Sequence, residues 1–372
     1  MTDSTYIERD PLYVVAPSKV TEKTKRFGHI LVWGTFVLMI LIGVMQLLFS
    51  FEKISFGFET WRPFLYAYIM WACAIGYSRV LIYGERGKRV LFVFPAVMFI
   101  LSIVIFPLLF GLYISFTDWN LSSLDGRKFN GLDNFYQMLG DPYYWNSMKN
   151  MVYYVLAVLV EFAIAFLLAL LLNSHIKGKK FFRIAFLIPL MLSPVAVSWM
   201  VGKSMLEQRF GPVANLGRFL GWETPTFFSS PEIAKLTIMV MDAWTFIPLM
   251  IIMLLAGLQA LPKEVLEAAK VDGANKWTLF KNIIFPIMLP VSLTTLVIRI
   301  IFKLKLADII IIVTAGGPGG ATDSVTSFIV REYRDRSNVG YGTLLSFVYL
   351  ILIIIFMTIL IRFVNRWLQR ES

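Results

Sequence analysis

Apolar residues along this chain come in unbroken runs of roughly 20, not at the spacing of an amphipathic helix or a half-buried strand. A run of that length crosses a hydrocarbon core about 30 Å thick, and lipid offers backbone polar groups no partner, so each run predicts a spanning helix. Eight runs are read, at about 30–50, 60–83, 90–116, 149–173, 184–206, 236–258, 284–302 and 343–363. The run 284–302 is the shortest and holds Pro286, Pro290 and Arg299; its neighbours make sense only if it crosses. A membrane β-barrel would show alternating segments of about ten residues instead. The expected fold is therefore an all-α membrane protein with eight transmembrane helices. Composition agrees, since 58% of the 372 residues are hydrophobic and 16% charged, against about 25% charged in soluble domains.

A net charge of +11 would suit a nucleic-acid partner, but its distribution points elsewhere. With the N-terminus inside, the inner segments are 1–29, 84–89, 174–183, 259–283 and 364–372. Counting Arg362 at a span end, they hold 19 of the 35 basic residues on less chain than the opposite side carries. The loop 84–89 (GERGKR) is the sharpest instance. This bias places both termini in the cytoplasm and makes the charge a topology signal. Cys73 is the only cysteine, so no internal disulfide forms. His29 and His175 sit at span ends and give no metal constellation. The polar start and the long run behind it predict a retained helix, not a cleaved signal peptide.

The loops divide the chain into a tail at 1–29, a two-helix hairpin at 30–89 and a six-helix portion at 90–372. Long outer loops at 117–148, 207–235 and 303–342 are rich in Gly, Asn, Asp and aromatic residues. One inner loop, 259–283, stands out. Pro262 suits a first helical turn, Glu264 and Glu267 its positive end, and Gly273 a stop. Such a helix either lies on lipid headgroups or docks a cytoplasmic partner, with Ala268 and Ala269 small enough for close approach.

Charges inside spans are costly and face the bundle interior. The candidates are Glu161, Asp242, Arg299 and Lys303. Asp242 and Arg299 lie at similar depth, so they either pair or line a substrate path. Trp244 and Phe246 are aromatic candidates for stacking on a sugar face or for packing.

The inner loop resembles the EAA loop of importer-type ABC permeases: Glu267-Ala268-Ala269, then Gly273, then Ile284, Pro286 and Pro290. The stretch from Leu258 to Pro290 is similar to the sugar-transport branch, as are Thr314-Ala315-Gly316-Gly317-Pro318, Asn130–Phe135 and Leu170–Asn173. Lys305 and Asp308 match that branch's Lys-x-x-Asp, with Ala307 in place of its usual Phe. The resemblance covers about 90–367. It implies a type I ABC importer permease core of six helices plus the N-terminal hairpin, as in maltose-type subunits of the bacterial inner membrane.

By that resemblance Glu267, Ala268, Ala269, Asp272 and Gly273 couple to an ATPase, while Gly316, Gly317 and Pro318 meet a binding protein. The expected partners are a second homologous permease, two nucleotide-binding ATPase subunits, a periplasmic or lipoprotein substrate-binding protein, a sugar and membrane lipid. No cofactor is expected on this chain. It lacks G-x-x-x-x-G-K-[ST], so ATP and Mg belong to the partners, and the chain is a transport subunit without catalytic residues. Arg299 and Lys303 depart from the family pattern and suggest an anionic sugar: sulfonated, phosphorylated or uronic. The rival readings are an ion-coupled secondary transporter acting alone, with Glu161 and Asp242 as its cation sites, and an intramembrane enzyme, for which the sequence offers no His-Glu-x-x-His, paired aspartates or serine elbow.

Overall fold

The computed structural model describes residues 21–50, 54–124, 126–174 and 177–371. His175 and the first 20 residues of the expected tail lie outside the described residues. The described chain is helical, with only two isolated backbone bridges, Thr117 to Phe129 and Asn120 to Asn338. It divides into two compact units, Met1–Phe110 and Gly111–Ser372.

The first unit holds α1 (Glu22–Ser50), α2 (Arg62–Tyr83) and α3 (Glu85–Ile100). α2 packs closely on its neighbours because the residues it buries are small: Ala67, Ala72, Ala74, Gly76 (which faces Leu91 and Phe94 of α3) and Ser78. The Ser78 hydroxyl donates to the Gly28 carbonyl at 2.9 Å. The Gln46 side chain closes the far end, donating to the Phe58 carbonyl at 2.9 Å and accepting from its N–H at 3.2 Å. The basic stretch 84–89 is not a loop: Gly84 alone breaks the chain, at φ +57°, and α3 starts at Glu85. The expected two-helix unit 30–89 thus gains α3 in its contacts.

A π-helical turn, Leu101–Ile105, leads into α4 (Phe106–Ser115). Beyond it come α5 (Asp133–Gly140), α6 (Pro142–Asn173), α7 (Lys179–Met191), α8 (Pro194–Val197), α9 (Pro212–Phe219) and α10 (Pro231–Gln259). Then follow α11 (Lys263–Val271), α12 (Lys276–Leu279), α13 (Phe285–Leu304), α14 (Asp308–Val313), α15 (Val325–Val330) and α16 (Val339–Glu371).

Among the described residues, six helices are long and apolar enough to cross a membrane. A seventh crossing exists if Lys179–Met191 and Pro194–Met205 count as one span, but the two are bent by 97°. The uninterrupted helix expected at 184–206 is therefore broken, and the sequence holds the cause. Pro194 drives Ser193 into extended backbone (ψ 148°), Leu192 before it is extended as well (ψ 140°), and the Ser193 hydroxyl then caps the next helix by accepting from the Ala196 N–H. The expected span 284–302 corresponds to α13, a 20-residue helix outside those seven. α6 and α10 start earlier than the apolar runs at 149 and 236, because Asp141 and Ser230 cap them before Pro142 and Pro231.

α6, α10 and α13 pack together around two apolar clusters. One contains Tyr154, Val158, Met241 and Ile300, the other Ala165, Phe166, Leu254 and Met288. On α6, Glu161 lies between the two.

Candidate functional site

Four charged side chains meet in that gap. Arg299 and Lys303, one turn apart on α13, share a face. The Arg299 Nε donates to Glu161 at 2.8 Å, and the Lys303 ammonium donates to the other Glu161 oxygen at 2.7 Å. Both cations also donate to Asp242 Oδ2 on α10. All four side chains are at most 5% exposed. Two cations facing two anions sum to zero, which is how ions survive burial without water.

The expected Asp242–Arg299 pair is thus half of a quartet joining three helices. Phe246, one turn from Asp242, presents its ring face to the Arg299 guanidinium, the ring centroid 4.6 Å from Cζ. The Arg299 Nη1 is left without a hydrogen-bond partner. Trp244, two residues from Asp242, lies on another side of α10 and is 41% exposed. Phe246 is committed to a cation and to the Phe302 ring, 5.4 Å away.

The inner loop forms α11, whose exposure separates its residues. Glu264, Glu267, Ala268 and Val271, at helical spacing, form one exposed stripe, with Val271 87% exposed. Ala269 points inward and is buried, so the two alanines do different work. Among the described residues Glu267 has no hydrogen bond or ion pair. Gly273 holds φ +81°, a left-handed conformation that ends the helix. Asn275 then caps α12 by accepting from the Thr278 N–H at 2.8 Å. Beyond it Phe280 packs on Phe166 of α6 at 5.7 Å and on Phe285 of α13 at 5.9 Å, which ties the segment after α11 to both helices.

The third expected site, Gly316, Gly317 and Pro318, is a tightly held turn, and only Pro318 of the three is exposed. Gly316 (φ +83°) has no room for a side chain: a Cβ there would sit 2.3 Å from the Asp323 carboxylate. Thr322 donates to the Gly317 carbonyl at 2.9 Å. From α6, Asn146 donates to the Gly320 carbonyl (2.7 Å), Asn150 to that of Asp323 (3.0 Å) and Tyr154 to that of Thr322 (2.7 Å). Asp323 accepts from Ser327 at 3.0 Å and pairs with Arg331. Sequence reasoning missed this clasp; the available signal was the polar stripe Asn146, Asn150 and Tyr154, four residues apart.

Burial pushes the Asp323 carboxyl up to about 6, although Arg331 and Ser327 pull it down. A folded value above the ordinary one favours the protonated form. That contribution is complete below about pH 4 and is lost as pH rises through about 6, a change of ~3 kcal/mol. The unfolding temperature of wild type should therefore fall relative to that of Asp323→Asn between pH 4 and 7; parallel profiles would contradict it.

Residues 143–370 match the family described as binding-protein-dependent transport system inner membrane component. The chain belongs to this family. The MalF permease of a trehalose/maltose transport system from Thermococcus litoralis is 30% identical over 74% of this chain and 92% of its own. SmoG, a sulfoquinovosyl glycerol transport system permease of Agrobacterium fabrum, is 32% identical over 73% and 88%. A chain of a bacterial alginate ABC transporter, solved with a periplasmic protein bound to alginate pentasaccharide, superposes with a TM-score of 0.64. That match covers 78% of this chain and 98% of the other at 22% identity, and shows the fold. As a permease of this family the chain is a multi-pass transport subunit of the inner membrane, not an enzyme.

Proposed function

We propose that this chain is one of two homologous permeases in an ATP-driven importer for a sugar or oligosaccharide. The observation that carries the reading is α11: an exposed stripe on a short helix, ended by a glycine and joined through Phe280 to the membrane helices. A surface bearing a bare Glu267, a small Ala268 and an uncovered Val271 suits a partner better than water. In this reading two ATPase subunits bind ATP and Mg and dock there in the cytoplasm, where both termini also lie. A substrate-binding protein meets Pro318 on the outside. Alternating access then works on the α6–α10–α13 junction, and the quartet with Phe246 stands where substrate would pass.

The relatives' names support a sugar, and two of them point to acidic glycans through a sulfoquinovosyl glycerol transporter and the importer of "the acidic polysaccharide alginate". The expected basis for an anionic sugar, Arg299 and Lys303, needs revision, because Glu161 and Asp242 neutralise both cations. The same pairing weakens the ion-coupled alternative, since each candidate carboxylate already holds two cationic side chains.

Co-expression with the products of neighbouring genes and purification from membranes tests the reading. An ATPase subunit should co-purify in a 1:1 ratio to total permease, and its hydrolysis in nanodiscs should rise when a sugar-loaded binding protein is added. Sugar uptake by the chain alone, driven by an ion gradient, would overturn it.

A further inference from the structure

The quartet carries no net charge, yet an unbalanced pair of cations stands two turns further out. Between α6 and α10, at the end where both helices begin, lies a cleft of about 390 Å³. Lys149 and Tyr153 line it from α6, and Lys235 from α10. The Lys235 ammonium sits 5.1 Å from the centroid of the Tyr153 ring. Among the described residues neither lysine makes an ion pair. Glu232 is the acidic residue in the lining, so the cleft has one more cation than anion. Both helices start at this end, so no negative helix end is present to offset the charge. Glu232 and the Tyr153 ring offset part of the repulsion between the two ammonium groups, but one positive charge in the cleft stays unmatched.

We propose that this cleft is an entry site for an anionic sugar, with Lys149 and Lys235 taking its carboxylate, sulfonate or phosphate and Tyr153 its ring face. The word sugar, and the outward direction, rest on the importer reading above. An aromatic ring beside an ammonium offers both surfaces such a ligand needs: an apolar face for ring C–H groups and a charge for the acid. The position suits entry as well. Asn146 and Asn150, also in the lining, bind the Gly320 and Asp323 carbonyls, so two residues of the cleft also hold the turn that carries exposed Pro318.

The cleft also points inward. Lys235 and Asp242 are seven residues apart on α10, and Asn150 and Glu161 eleven apart on α6. Each spacing returns to the same helix face, about 10 Å and 16 Å deeper. The cleft therefore lies outward of the quartet along both helices. Charge would be selected at the mouth, where water is present, and not at the buried junction, whose cations are already matched.

The test uses the full chain in phosphatidylcholine nanodiscs and saturation-transfer NMR, with a mannuronate tetrasaccharide and maltotetraose as probes. At low salt, wild type should bind the uronate about tenfold more tightly, the size expected for two half-exposed ion contacts. The preference should shrink at 0.5 M salt through screening. Lys149→Gln/Lys235→Gln should abolish it while retaining the wild-type unfolding temperature and maltotetraose signal, and Lys149→Arg/Lys235→Arg should restore it. An equal preference in the glutamine variant, or no uronate signal in wild type, overturns the proposal. So does displacement of the uronate by a few mole per cent of phosphatidylglycerol, which would make the occupant a lipid headgroup. The importer reading fails separately, through the absence of a co-purifying ATPase.

Discussion

Replacing Arg299 with leucine should cost the protein about 3–5 kcal/mol, the largest stability loss expected from any single substitution in the quartet. The leucine leaves Glu161 and Asp242 facing one another with Lys303 as their sole cation, and all of these are buried where water cannot compensate. Arg299 is also the face on which Phe246 lies, so that ring loses its partner too. The double variant Asp242→Leu/Arg299→Leu removes one charge of each sign and keeps the Glu161–Lys303 pair at 2.7 Å. It should therefore be more stable than the single variant, with a coupling of about 1–3 kcal/mol. Unfolding temperatures in mild detergent at pH 7 decide the matter. If the two substitutions simply add, the four groups are not acting as a unit. If both variants match wild type in stability but fail in transport, the quartet is a substrate contact and not a structural lock.

Glu267→Ala and Gly273→Pro should have the opposite signature: large in coupling and small in the fold of this chain. Glu267 is exposed and has no hydrogen bond or ion pair among the described residues, so truncating it should change stability by less than about 0.5 kcal/mol. In the assembled transporter it should lower binding-protein-stimulated ATP hydrolysis by on the order of tenfold or more, as loss of an interface anchor does. Gly273 acts through its backbone: nothing lies within 4 Å of a Cβ placed there, so sterics with neighbours are irrelevant. Its φ of +81° is one that proline, fixed near −65°, does not adopt. The helix end would be rebuilt and the α11 stripe turned away from its partner. Hydrolysis at the wild-type rate in both variants would remove α11 from the coupling role.

Length and chemistry in lipid made much of this protein readable from its sequence. Apolar runs announced the spanning helices because a membrane demands about 20 such residues whatever the neighbours do. Pro262 and Gly273 bracketed α11 because their backbone preferences are local, and the four intramembrane charges stood out because burial makes them expensive. What the chain alone left undecided was arrangement. Whether Glu161 and Lys303 join Asp242 and Arg299 depends on how α6, α10 and α13 are rotated against each other. The same rotation brings Phe246 onto Arg299. The cleft of Lys149 and Lys235 was hidden for a similar reason, since each is an ordinary surface lysine until two helix ends meet. Even the broken span had its cause in plain view at Pro194, but the 97° turn is set by what the second half packs on: Gly202 lies so close to α14 and α10 that a Cβ would stand 2.5 Å from Val313. Sequence marked most of the segments long and apolar enough to cross a membrane and the stops set by Pro262 and Gly273, because those are local free energies. Tertiary structure decided which charges neutralise one another and which stay free for a ligand, because that is fixed by distances between helices remote in the chain.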